Sequence, residues 1–404
     1  MKDKFFIISF VILSLTIISS FIGCEYDVSG SMWEKPFTAP PTPTISQVTP
    51  AQAVAGVNTI TITGTNFGDP AKDSLTVYFD AVTADVISGT ATSITVRRPN
   101  LVSDTCTIKV VGSSALVVAK YSPYKIESVV EQYGSFLEGL QLSVLAVDSA
   151  ENLYVTEFVS KSIVKVTPDG ARSVVGTINR TATEARIGPN NKLYLLGNNR
   201  AIDQVDLTTG QISRWTQLPS GKVVKFGDFD ETKHLYAAGT KTDIVVVNPD
   251  LTTKATQGFY ANDEVLAVRV YNNYLYVASK LAATENTPQI WKHKLDANGT
   301  LGAQELVVDS TTISKYTSAA IKGITFSASG TMYISVDDEN PILIFDQSKG
   351  TMDILYKEII PSYCKYFYWG TGNYLYLITG DTTLGAEWTV YKINIGSSGA
   401  PYFR

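Results

Sequence analysis

The chain has 404 residues, 44% of them hydrophobic and 18% charged, and a formal net charge of -5. Apolar content at the globular norm argues against disorder and against a multi-span membrane protein, and mild acidity without a long basic run argues against nucleic acid as a partner. Three cysteines cannot form a disulfide framework, and two histidines, His234 and His293, leave little for a His-based triad or a His-rich metal site.

Lys2 and Lys4 precede an apolar run from Phe5 to Ile22, followed by Gly23-Cys24 and a polar stretch with Glu25, Asp27 and Ser29. A positive start, an apolar middle and a small residue at the break are the parts of a secretory signal. A Cys directly after Gly resembles the cleavage site of bacterial lipoproteins, although Phe21 and Ile22 stand where that site usually carries Leu and a small residue. An uncleaved membrane anchor is the alternative. The resemblance implies a signal peptide over residues 1–23 and a diacylglyceryl group on Cys24. It also implies a membrane partner through that lipid anchor, in the bacterial envelope at the outer membrane, with the periplasmic and the cell-surface side both open. Residues 24–42 hold Pro36, Pro40 and Pro41, a linker composition that favours extended geometry.

From residue 43 to 124 apolar and polar residues alternate between turn signals, as in Ile60-Thr61-Ile62-Thr63 and Leu75 to Phe79. Several short strands without helical periodicity predict an immunoglobulin-like sandwich. The run Ile60-Thr-Ile-Thr-Gly64-Thr-Asn66-Phe67-Gly68, with Ile45-Ser-Gln-Val48-Thr-Pro50 before it and Val77-Tyr-Phe79 after it, resembles the IPT/TIG family. Such domains on secreted proteins commonly serve as spacers. Cys106 lies on an alternating strand and reads as a small buried hydrophobe.

Over residues 125–397 one unit recurs six times, each with an apolar-Tyr-apolar core at Tyr154, Tyr194, Tyr236, Tyr276, Tyr333 and Tyr376. The spacings are 40, 42, 40, 57 and 43 residues, and a period near 40–50 with several strands per unit predicts propeller blades. The fold class is therefore all-β, a sandwich followed by a six-bladed propeller. The sixth unit lacks an outer strand, which Lys125 to Glu131 is expected to supply, closing the ring. The unit Ala146-Val-Asp148-Ser-Ala-Glu-Asn152-Leu-Tyr-Val155 resembles NHL-type repeats.

Strand alternation puts the first–second and third–fourth connections on one face of the disc, where they are tight and rich in Gly, Asn and Asp. The other face carries loops of variable length: Lys280 to Pro288, Asp337 to Pro341, Gly380 to Glu387, Phe259 to Glu264 and Asp309 to Ala320. Variable loops on a rigid frame are where binding collects. Candidate ligand-binding residues on that rim are Phe158, Tyr260, Tyr316, Asp337, Asp338, Glu339, Asp381 and Glu387. Aromatic faces stack on sugar rings, and the acids supply hydrogen bonds. Tyr366, Tyr368 and Trp369 read instead as core between blades. Asp337-Asp338-Glu339-Asn340 has the oxygens calcium takes, but an acidic loop is more often only solvated, so no metal is assigned.

No catalytic set assembles in the sequence: both histidines read as surface or edge residues, Cys364 has no base near it, and no phosphate-binding G-x-x-x-x-G-K occurs. No cofactor is implied. The expected function is an envelope-anchored, non-catalytic binding module for a glycan or an envelope protein, using the variable-loop face, with the sandwich as spacer. Two alternatives stand beside it: a propeller hydrolase or lyase using channel carboxylates, with or without a metal, and a structural protein of the envelope.

Overall fold

Alternating strands need a second apolar face to bury, and the two parts of the chain solve this differently. The computed structural model describes residues 41–403, apart from 69–74, 113–116, 138, 241, 282–287 and 382–385. Cys24 and the segments before and around it lie outside the described residues. So does most of the Lys280 to Pro288 loop, and part of the Gly380 to Glu387 loop.

The first part is a sandwich of two antiparallel four-stranded sheets. One holds Thr44–Thr49, Thr59–Thr65, Ser93–Arg97 and Val86–Gly89; the other holds Val82–Ala84, Leu75–Phe79, Ser103–Gly112 and Ala119–Ile126. Ile60, Ile62, Val77, Phe79, Ile94, Val96 and Ile108 point inward from alternate positions and are fully buried. Cys106 joins them, and burial pushes its thiol up to about 11. Gly64 is required by close approach: a Cβ there would lie 1.9 Å from the Thr44 carbonyl oxygen and 2.5 Å from the Phe67 ring.

The second part is six antiparallel four-stranded blades. The inner strands are Leu142–Val147, Glu184–Gly188, Phe226–Phe229, Asp263–Tyr271, Ile321–Phe326 and Cys364–Trp369. Each inner strand packs beside the next, and the first packs beside the sixth, so they ring a central axis. Ring closure comes from Val130–Gln132, which pairs with Ala386–Asn394 as the outer strand of blade six. Lys125 and Ile126, expected in that strand, belong to the last sandwich strand instead, because Ile126 is buried in the sandwich core. Only residues 127–129 separate the two strands.

That short junction is reinforced by side chains. Asp353, in the outer strand of blade five, accepts from Arg97 Nη2 at 2.6 Å and from Asn58 Nδ2 at 3.2 Å. Asn58 also accepts from the Tyr356 amide at 2.8 Å, while the Tyr356 hydroxyl reaches both the Gly56 amide at 2.6 Å and the Asn394 carbonyl at 3.0 Å. Gly396, with φ of +72°, runs so close to the sandwich that a Cβ would meet the Ala55 carbonyl oxygen at 2.6 Å. The sandwich is fastened to blades five and six rather than carried on a loose tether.

Candidate functional site: the blade axis and the cavities beside it

The inner strands decide what faces the axis. Across the first two strands of the blades, the core tyrosines pair with Ala146, Arg186, Asp228, Arg269, Thr325 and Tyr368. Three of these six are charged, in strands that are otherwise mostly apolar. Arg269 is 0% exposed and its Nη1 donates to Asp228 Oδ2 at 2.9 Å and to its own neighbour's carbonyl, Val270 O, at 2.5 Å. Arg186 Nη1 donates to Glu184 Oε1 at 2.6 Å, and its Nε faces Asp228 Oδ1 at 3.5 Å. Amides of Phe229 and Val270 complete the shell of Asp228. Burial outweighs the attraction of Arg186 and pushes the Glu184 carboxyl up to about 7.

A strap formed by residues 398–403 crosses the tight-turn face of the disc. Gly399 N donates to Gly372 O in blade six, Ala328 N to Ser398 O, and Ala400 N to Phe326 O in blade five. Arg269 Nη2 then donates to the carbonyls of Ala400 and Pro401, both at 2.9 Å. Tyr402 enters the axis. Its ring stacks on Tyr368 at 4.0 Å and lies 3.6 Å from the Arg269 guanidinium carbon and 4.7 Å from that of Arg186.

The strap leaves a cavity on each side. One, of about 460 Å³, is lined by Asp148, Ser149, Ile187, Asn191, Tyr368, Trp369, Thr371, Tyr402 and Phe403 among others. The second, of about 300 Å³, lies between the turns of blades three and four, with Phe229, Asp230, Tyr271, Asn273 and Tyr402 in its wall. Their walls are rigid for a local reason. Asp148 Oδ1 accepts from the amides of Ala150 and Asn152, and its Oδ2 from Asn152 Nδ2 and the hydroxyl of Tyr154. Asp230 does the same in blade three with His234 and Tyr236. A second clasp closes the ring here: the Glu151 carboxylate accepts from the amides of Thr371 and Gly372 at 2.8 and 2.9 Å, bridging blades one and six.

The variable-loop rim is arranged otherwise. Tyr260 is 0% exposed, so it offers no ring to a ligand; its hydroxyl bonds His293 Nε2 at 2.8 Å inside blade four. His293 donates from Nδ1 to the Gly302 carbonyl and is fully buried, and His234 is buried against Asp230. Both histidines were expected at the surface or an edge. Each is drawn in because a turn carbonyl or carboxylate satisfies its ring nitrogen. Tyr316 is half-buried and donates to Met352 O at 2.5 Å. Asp337 is bridged by Lys365 at 2.9 Å and Lys322 at 3.4 Å, while Asp338 accepts from Thr317 at 2.5 Å. Those partners occupy the oxygens a cation would need. Glu339 gives its carbonyl to Ser362, and Glu387 is exposed. The side chain of Asp381 lies outside the described residues. Phe158, 40% exposed beside Val159, is the rim candidate that keeps an open apolar face. Among the described residues no cluster of three His, Cys, Asp or Glu is placed to hold a metal ion.

The axial charges had a signal in the sequence. Arg186, Asp228, Thr325 and Tyr368 each stand eight residues before the core tyrosine of their blade, and Arg269 seven before, across a shorter turn. A charge at that repeat position, inside an apolar strand, marks a residue facing the axis. The strap had none.

Residues 43–126 match the family model of the IPT/TIG domain. No curated protein matches the sequence. Among solved structures, an auxiliary nutrient binding protein from Bacteroides thetaiotaomicron is 11% identical with a TM-score of 0.52, the alignment covering 89% of this chain and 99% of that one. A luciferin-regenerating enzyme is 14% identical at 0.54, covering 68% and 98%. Regucalcin, a calcium-binding protein from Agrobacterium tumefaciens, is 12% identical at 0.53, covering 69% and 97%. At such identities the likeness carries the fold alone, and that fold hosts both binding proteins and enzymes. The chain joins an immunoglobulin-like IPT/TIG domain to a β-propeller of the type these structures share.

Proposed function

We propose that this chain is a non-catalytic binding protein of the bacterial envelope, held to the outer membrane by acyl chains on Cys24, whose propeller captures a small glycan. The observation that carries the reading is the cavity of about 460 Å³ at the axis, with half-buried Phe403 and exposed Ser149, Asn191 and Thr371 on its open side and buried Tyr368, Trp369 and Tyr402 behind them. Its size and its mixture of aromatic and polar groups suit one or two sugar rings. Asp228, the acid in contact with both axial arginines, is held by Arg269 and two backbone amides, which takes from it the freedom a catalytic base or metal ligand needs. A protein named for auxiliary nutrient binding shares this fold over more than the propeller, so the fold is compatible with the reading. The site proposed here is therefore on the tight-turn face, opposite the variable-loop rim expected from the sequence. The sandwich, fastened to blades five and six, is a rigid spacer between membrane linker and propeller.

An oligosaccharide array probed with the protein lacking its first 24 residues tests this. Ser149→Trp puts a bulky ring into the cavity from an exposed turn position and should abolish capture with an unchanged melting temperature. Shortening Asp337–Pro341 should leave capture intact. Capture that survives Ser149→Trp and fails with the rim deletion would return the site to the variable loops. Separately, Cys24→Ala in the full chain should release the protein from membranes; a mutant that still sediments with them would remove the lipid anchor from the account.

A further inference from the structure

The two cavities share one partition, and the partition is a piece of chain rather than a wall of the fold. Phe229, Tyr271 and Ala328 lie on one side of it, Ile187, Trp369 and Thr371 on the other, while Pro401 and Tyr402 border both. The blades do not need it for closure, since Val130–Gln132 and the Glu151 clasp already join blade six to blade one. What the strap satisfies is Arg269. Its Nη1 is committed to Asp228 and Val270 O, its Nη2 donates only to strap carbonyls, and its Nε is buried with no hydrogen-bond partner. Nε–H and Nη2–H lie along one edge of a guanidinium, at the spacing of two carboxylate oxygens. An edge with one donor unpaired and the other resting on neutral carbonyls is suited to an anion. A carboxylate would take both N–H groups of that edge in bidentate geometry and add an ion pair, whereas the strap carbonyls take Nη2 alone.

Resting on the binding reading above, we infer that the axis is a carboxylate site closed by the chain's own strap, and that its ligand is an acidic sugar whose carboxylate takes the Nε–Nη2 edge of Arg269 as residues 398–403 withdraw. Tyr402 then holds the place of the sugar ring, stacked on Tyr368, and the Ala400 and Pro401 carbonyls hold the place of the carboxylate oxygens. Withdrawal joins the two cavities into one bowl, with the hydroxyl of Ser149 and the amide of Asn191 at its rim.

The test uses D-glucuronate as probe and D-glucose as its neutral control. Titration calorimetry should show glucuronate binding a chain lacking residues 398–404 at least tenfold more tightly than the full chain, with no such gain for glucose. Arg269→Lys in the shortened chain keeps the charge, loses the edge, and should return that gain. Should shortening or substitution cost the cooperative melting transition, the unmodified protein decides: saturating glucuronate should speed amide exchange at Ala328 and Ala400, whose hydrogen bonds hold the strap. Equal affinity of folded full and shortened chains, or strap amides in the unmodified protein that stay as protected under glucuronate, overturns the inference. Capture of a neutral sugar in the cavity with the strap still protected sinks the strap proposal and leaves the binding reading standing. If no sugar of any kind is captured at this face, both fall.

Discussion

The two faces of the propeller differ in a way opposite to their loops. The variable-loop face has the longer connections, yet its described polar candidates are largely satisfied by neighbours: Asp337 by two lysines, Asp338 by Thr317, Tyr316 by a backbone carbonyl. The tight-turn face has the short connections and carries both axial cavities. Short turns locked by Asp148 and Asp230 hold a fixed rim, and one crossing strap shapes what lies inside it. Loop length reports where sequence is free to change. It does not report where a concave surface forms.

The largest expected effect is at the axis. Arg269→Met leaves the buried Asp228 two backbone amides and, for a cation, only Arg186 at 3.5 Å, and should cost about 3–5 kcal/mol in chemical denaturation. A loss below about 1 kcal/mol would mean that the axial charges do not hold the blades together. Next come two pH dependences of opposite sign. The carboxyl of Glu184 is raised to about 7 from 4.5, so its contribution is full below about 4.5 and is lost as pH rises through 7. The stability advantage of Glu184→Gln over the parent chain should therefore grow from pH 5 to pH 8. His293, in contrast, is held below 6.5 by burial, so its contribution is full above about 6.5 and is lost as pH falls through its folded value. His293→Asn should flatten the acid side of the stability profile, whereas an unchanged acid limb would place the acid-sensitive group elsewhere. The smallest effect belongs to the rim: Lys322→Ala removes one of two lysines from half-buried Asp337 and should change stability by about 0–1 kcal/mol. A cost rivalling that of Arg269→Met would erase the contrast between the faces.

Much of this was readable from local pattern. Alternation and the Gly64–Gly68 turn gave the sandwich, because close backbone approach leaves only glycine at position 64. Six tyrosines at near-constant spacing gave the blades, and the missing outer strand pointed to closure by the segment that contains Val130 and Glu131. The axis was harder. Arg186, Asp228 and Arg269 look like ordinary strand residues until they are set in register with the tyrosines they face. Tyr260, His234 and His293 were misjudged because an aromatic or imidazole at a loop end folds inward wherever a turn offers it a partner, and that partner is fixed by tertiary structure. The strap, Ser-Gly-Ala-Pro-Tyr-Phe, has no periodicity, and the contacts that place it come from blades four, five and six together.

Ligand is proposed to bind at the axis on the tight-turn face. A crystal structure of the protein soaked with a sugar captured on the array tests it most directly. Density is expected between Asn191, Thr371 and Tyr368, within the cavity beside Tyr402. Density seated on Phe158 or on the Asp337–Pro341 loop, with that cavity empty, would contradict it.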